Sequence, residues 1–187
     1  MEVLSTKLAG VLLFEPKVFS DSRGCFFESW NRQRYQEAGL AEDFVQDNLS
    51  ISRKGVLRGL HYQHPHPQGK LVQVLEGEVL DVAVDIRRGS PTFGQWLSVS
   101  LSAQNRRQIY IPGGFAHGFA ALSETVIFSY KCTDYYHPGT EGGILWNDPD
   151  LGICWPVREP LLSPKDSTYP RLKDIPADRL PLFEEGR

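Results

Sequence analysis

Period-two alternation organises the middle of this chain. Between residues 79 and 86, Leu80, Val82, Val84 and Ile86 alternate with Val79, Asp81, Ala83 and Asp85. That spacing predicts a strand with one apolar face and one mixed face carrying two carboxylates. Residues 71–75 predict a second strand, reached through the short turn Glu76-Gly77-Glu78, and the run RRGSP at 87–91 reads as another turn. Further strands are expected at 95–101, 107–111, 118–122 and 125–131. Short strands at regular spacing, divided by turns, predict a mainly β sandwich or barrel. A short helix is expected near the N-terminus, capped by Ser29 or Asn31 and ended by Gly39. Its apolar stripe is thin, which places it on the surface.

The tail departs from this pattern. Six of the 13 prolines fall in residues 156–187, so that stretch forms neither a central strand nor a long helix. It reads as a proline-rich wrap over a single domain spanning 1–187. Its start, Leu162-Ser163-Pro164-Lys165-Asp166, either closes over a site or serves as a passive strap.

Composition narrows the classes. A chain of 187 residues can bury a sizeable core. The net charge of −3 suggests no nucleic-acid surface and no membrane-binding patch. No apolar run approaches the ~18 residues a membrane helix needs. The run LAGVLLF at 8–14 follows Lys7 but ends at Glu15-Pro16 without a small-residue cleavage site, so it reads as a strand and not a secretion signal. Cys25, Cys132 and Cys154 are odd in number and form no C-x-x-C pair, which argues for a reducing, cytoplasmic setting with each thiol a small buried apolar group.

Two stretches could carry chemistry. The first, residues 58–70, packs Arg58, His61, His64, His66 and Lys70 into a glycine-containing segment ahead of a strand, suited to meeting an anion. The second, residues 111–119, has the spacing P-x-G-x-x-H ending on His117. It resembles the second motif of the cupin superfamily and implies a double-stranded β-helix, or jelly roll. Many cupins hold a metal through an H-x-H pair, a following Glu and the second-motif His. His64-Pro65-His66 supplies H-x-H, but Lys70 stands where the Glu belongs and the flanking prolines suggest a turn. A metal reading using His64, His66 and His117 therefore stays a minor alternative, with no cofactor as the main expectation.

A longer set of motifs is more specific. It comprises Asp21-Ser22-Arg23-Gly24 with Phe26-Phe27-Glu28, Gln46-Asp47-Asn48-Leu49-Ser50, and Val56-Leu57-Arg58-Gly59-Leu60-His61. Gln68-Gly69-Lys70-Leu71-Val72, Asp81 to Arg87, and Ser90-Pro91-Thr92-Phe93-Gly94 follow. Residues 111–119, Trp146-Asn147-Asp148-Pro149 and Leu162 to Asp166 complete it. Together, in this order, they resemble the dTDP-4-dehydrorhamnose 3,5-epimerase family across nearly the whole chain. The resemblance implies a dTDP-linked keto-deoxysugar substrate, dTDP-4-dehydro-6-deoxy-D-glucose, inverted at C3 and C5, and a homodimer. It implies His61 as general base, imidazole being the side chain suited to exchanging protons near neutral pH, supported by Asp166. Lys70 would hold charge near the C4 oxygen and Tyr130 would be the opposing acid. Arg23, Arg58 and Lys165 would meet the diphosphate. Glu28, Gln46 and Asn48 would meet the nucleotide end, His117 would face the sugar or phosphate, and Glu141 is a further substrate-binding candidate. Phe26 and Tyr136 would flank the base. Inversion at one centre alone and a non-catalytic sugar-nucleotide binder remain open alternatives.

Overall fold

The structure, a computed structural model, describes residues 1–184. Its elements in chain order are β1 (Glu2–Ser5), β2 (Leu12–Glu15), β3 (Val18–Asp21), β4 (Gly24–Phe27), α1 (Arg32–Glu37), β5 (Gln46–Arg53) and β6 (Leu57–Gln63). They continue with β7 (Lys70–Glu76), β8 (Glu78–Asp85), β9 (Trp96–Ser102), β10 (Gln108–Ile111), β11 (Phe115–Ala121), β12 (Thr125–Cys132) and β13 (Glu141–Gly143). A six-stranded antiparallel sheet, β1-β2-β10-β7-β12-β5, faces a five-stranded one, β13-β6-β11-β8-β9. The protein is the expected mainly β jelly roll, and β3 with β4 forms a separate hairpin.

Three apolar layers hold it together. Between the sheets lie Val72, Val74, Ile109, Val126 and Phe128 from one side and Val79, Ala83, Leu97, Leu101, Phe115 and Phe119 from the other. Outside the six-stranded sheet, Tyr35 of α1 packs with Phe14, Leu40, Leu71 and Tyr110. Asn31 caps α1, its side chain accepting from the Arg34 amide, and Gly39 follows in the left-handed region at φ +94°. Outside the five-stranded sheet, Leu172, Ile175 and Leu180 of the tail cover Leu60, Val82, Val84, Ile86 and Ala116. Each of the Val, Leu, Ile and Phe side chains among them contributes about 1.5–3 kcal/mol by leaving water. The tail is pinned by buried Asp148, whose carboxylate accepts from the Leu172 amide at 2.8 Å. The last three residues of the expected wrap, 185–187, lie outside the described residues.

Several expectations are refined. The alternation in β8 is real, but both faces are buried. The wholly apolar face looks outward, under the tail, while the mixed face looks between the sheets. The turn at Gly77 is not a hairpin: it carries the chain from the six-stranded sheet to the five-stranded one. Gly77 sits at φ +78°, and a Cβ there would lie 2.3 Å from the Thr125 carbonyl oxygen. The start of the stretch 58–70, read as a basic cluster ahead of a strand, itself lies in β6. Gly59 makes this possible, because a Cβ on it would lie 2.5 Å from Gly118 Cα on β11. Cys132 is buried as expected, whereas Cys25 and Cys154 are exposed, since both sit outside the core layers. Among the described residues no helix is long and apolar enough to cross a membrane.

Candidate active site

The site draws its residues from both sheets and from the tail. His61 on β6 and His117 on β11 are direct cross-strand partners. On the facing sheet, β12 places Tyr130 across from Asn48 of β5, and Cys132 across from both Gln46 of β5 and Lys70 of β7. Side chains on one strand face repeat every second residue. Tyr130 and Cys132 therefore share a face, as do Gln46 and Asn48.

The tail completes the five-stranded side. Leu161 exchanges backbone hydrogen bonds with Gly55 and Leu57, which brings the following turn over β6. Asp166 is buried there, and its carboxylate meets His61 Nε2 at 2.5 Å. The Asp166 amide donates to Ser163 Oγ at 3.1 Å, which fixes the turn. Tyr169 packs edge-on to the His61 ring, with centroids 5.9 Å apart. With Nε2 engaged by the carboxylate, Nδ1 is the ring nitrogen left to exchange a proton.

Lys70 lies across the cleft in a desolvated setting. Burial pushes its ammonium below the ordinary lysine pKa, and Cys132, Asp81 and Glu141 offset this in part. Burial raises the Tyr130 hydroxyl, Cys132 and Glu141 raise it further, and Arg58 pulls it back down. Burial thus moves the two groups in opposite directions, in each case working against the charged form. Arg58 donates from Nε to Ser52 Oγ at 3.1 Å, bridging the two sheets.

A second acidic network rims the cleft. Glu141 accepts from Tyr136 Oη and pairs with Lys165 Nζ, each at 2.6 Å. Burial alone would raise its pKa, but Lys165, Tyr136 and His61 together hold it below the usual carboxylate value. The Tyr136 amide donates to Gln46 Oε1 at 3.0 Å, and the Gln46 side chain donates to Asn48 Oδ1 at 3.1 Å.

The fold therefore brings together His61, Lys70, Tyr130, Asp166, Arg58, His117, Gln46, Asn48, Tyr136, Glu141 and Lys165. It does not bring Arg23, Phe26 or Glu28 to them within one chain. Arg23 pairs with Asp21 on the β3–β4 hairpin, Phe26 is 71% exposed there, and Glu28 holds Arg34 and Asn31 of the α1 region. The hairpin instead lines a separate cavity of about 490 Å³ with Phe19, Asp21, Arg23 and Phe26.

Asp81, one of the two carboxylates on the mixed face of β8, is neither solvated nor paired with an arginine. It is buried and meets His117 Nε2 at 2.9 Å. Its place on the mixed face of β8 was a usable signal once that face is known to point inward. Asp85 does pair with an arginine, Arg87, and also accepts from Ser90 and Thr92. Tyr169 carried no sequence signal. The metal set His64, His66 and His117 is not assembled, because Asp81 engages His117 while His66 lies beside Asp134 and His137.

Comparisons with known proteins agree with one another. The family described as dTDP-4-dehydrorhamnose 3,5-epimerase matches residues 5–174. A relative of that name from Pseudomonas aeruginosa is 60% identical over 166 residues, covering 87% of this chain and 92% of its own. Another from Salmonella typhimurium is 58% identical over 175 residues, covering 92% and 96%. The crystal structure of dTDP-6-deoxy-D-glucose-3,5-epimerase from Legionella pneumophila, in complex with dTDP-4-keto-L-rhamnose, is 54% identical with a TM-score of 0.95, covering 98% of each chain.

Proposed function

This chain belongs to the dTDP-4-dehydrorhamnose 3,5-epimerase family, and from that membership we propose how its cleft performs the reaction. The substrate is dTDP-4-dehydro-6-deoxy-D-glucose, and the product is the L-configured 4-keto sugar nucleotide of the dTDP-L-rhamnose route. His61 Nδ1 takes the proton from carbon beside the C4 ketone. The C–H electron pair moves into an enolate whose charge collects on the C4 oxygen. Lys70, held as a cation in a water-poor wall, stabilises that oxyanion. Tyr130 returns a proton from the opposite face, so the carbon inverts with no net change in atoms. Asp166 orients the imidazole and stabilises the imidazolium, as a carboxylate does in a triad. Proton exchange with solvent then returns His61 to the neutral base and Tyr130 to the neutral acid, and the same cycle serves C3 and C5, since both flank the ketone. Arg58, His117, Asn48, Gln46, Glu141, Tyr136 and Lys165 hold the sugar nucleotide.

One observation carries this reading: a carboxylate-backed imidazole at 2.5 Å stands on one sheet while a half-buried lysine and tyrosine stand on the other. Proton NMR of the keto-sugar nucleotide in D₂O, with EDTA present, tests it. Deuterium enters at C3 and C5 as the L-sugar forms. Exchange at one carbon would make this a single-centre epimerase, and exchange at neither would reject the reading.

The protein acts as a homodimer in the cytoplasm. Three unpaired cysteines support the compartment. For the dimer the support is the β3–β4 hairpin: Phe19 and Phe26 are 55% and 71% exposed, and Arg23 does not reach its own cleft. A hairpin extended to a neighbour would cover both rings and place Arg23 at the neighbour's diphosphate. Sedimentation equilibrium should return twice the chain mass for the wild type. A monomer with full activity would exclude the arrangement.

A further inference from the structure

Outside the cleft, three potential metal ligands converge on two neighbouring loops. His66 follows β6, and Asp134 and His137 follow β12. His66 Nδ1 lies 3.9 Å from Asp134 Oδ2, and His137 Nε2 lies 3.9 Å from Asp134 Oδ1. The two imidazoles lie face to face, centroids 4.4 Å apart and tilted by 24°. One donor atom from each residue falls within 4.8 Å of the others. These separations are too long for hydrogen bonds, so the groups surround a space without satisfying one another. Two ligands each ~2.0–2.2 Å from a shared ion stand at most ~4.4 Å apart, so rotation of these exposed side chains, opening the stacked rings, closes the set.

The backbone beneath is already fixed. Buried Gln63 donates from Nε2 to the His66 and Tyr135 carbonyls at 2.9 and 3.3 Å and accepts from the His137 amide at 2.8 Å. Gln68 Nε2 donates to the Asp134 carbonyl at 2.8 Å. His66 sits at φ +70°, a conformation unusual for a side-chain-bearing residue, which these bonds help maintain. One amide side chain thus sets the separation of both loops, leaving little ordering cost for an ion.

We infer that His66, Asp134 and His137 form a binding site for a divalent transition metal of the zinc and cobalt type, clamping the two loops together. Two imidazoles and one carboxylate suit such ions over magnesium or calcium, which favour oxygen-only ligation. The side chains are 53%, 36% and 40% exposed, so water completes the coordination and an ion enters directly. The site is structural: the adjacent Tyr136 rims the cleft, but no ligand is a residue assigned to the proton transfers. Bound metal stiffens the loop between β12 and β13 without entering the chemistry.

Full-length, tag-free protein stripped with chelator is titrated with Co²⁺ alone, reading visible absorption and calorimetric heat, and melted with and without Zn²⁺. The expected result is one saturable ion per chain, a ligand-field band in the visible and a higher Tm with Zn²⁺. His66→Ala and His137→Ala should each weaken binding by at least ~10-fold and lose the Tm rise. Epimerase turnover without metal should stay at the wild-type level, showing that both variants are folded. Absence of saturable binding in the wild type overturns the site. So does binding retained by both variants, which would put the ion at His61–Asp166 or His117–Asp81.

Discussion

Replacing His61 with Asn lowers kcat by roughly 10²–10⁴-fold, the range expected when a positioned general base is lost. The amide cannot take a carbon-bound proton, yet it fills similar space and can still donate to Asp166. His61 lies on β6 between Leu60 and Tyr62, whose side chains pack on the opposite face under the tail. The fold and dTDP binding should therefore change little. Single-turnover kinetics with a dTDP titration separate the two effects. Near-normal turnover would remove His61 from the role of base, and lost dTDP binding would show that the substitution disturbed the cleft instead.

Replacing Tyr130 with Phe lowers product formation by a similar ~10²–10⁴-fold while leaving proton loss in place. The ring keeps its packing against Phe128, where centroids lie 6.0 Å apart. Only the hydroxyl goes, so deuterium should still exchange into recovered substrate while the inverted sugar accumulates slowly. Unchanged product yield would exclude Tyr130 as the acid.

The pH profile separates Tyr130 from Lys70. Burial lowers the lysine from its ordinary 10.5 and raises the tyrosine above its ordinary 10.0. Lys70 must be charged to hold the oxyanion, so kcat falls as pH rises through its lowered pKa. That alkaline limb should persist in the Tyr130→Phe variant, and its disappearance would assign it to the tyrosine. The stability sign is opposite. Between the lowered pKa and 10.5 the unfolded chain binds more protons at this lysine, so its contribution to stability rises with pH across that window.

Much of this protein was legible without coordinates. Alternation located β8, and short strands divided by turns located β9, β10 and β12, each to within a residue or so at each end, because side chains of a strand point alternately to its two faces and turns break the run. Asn31 and Gly39 marked α1, because helix ends need a side-chain acceptor and a left-handed residue. Ordered motifs identified the family, since local residue order survives without knowledge of contacts.

Tertiary structure decided what periodicity cannot express. A period of two separates the faces of β8 but does not say which points between the sheets, and here the carboxylate-bearing face does. Asp81 therefore became a buried partner of His117 and not a solvated group. His61 and Asp166 are 105 residues apart, and only the course of the tail over β6 makes them neighbours. Arg23, Phe26 and Glu28 share the motif set with His61, yet the hairpin and α1 carry them away from their own cleft. Residues adjacent in sequence are constrained by local backbone geometry, whereas contacts between sheets, tail and hairpin depend on how separate apolar faces find one another.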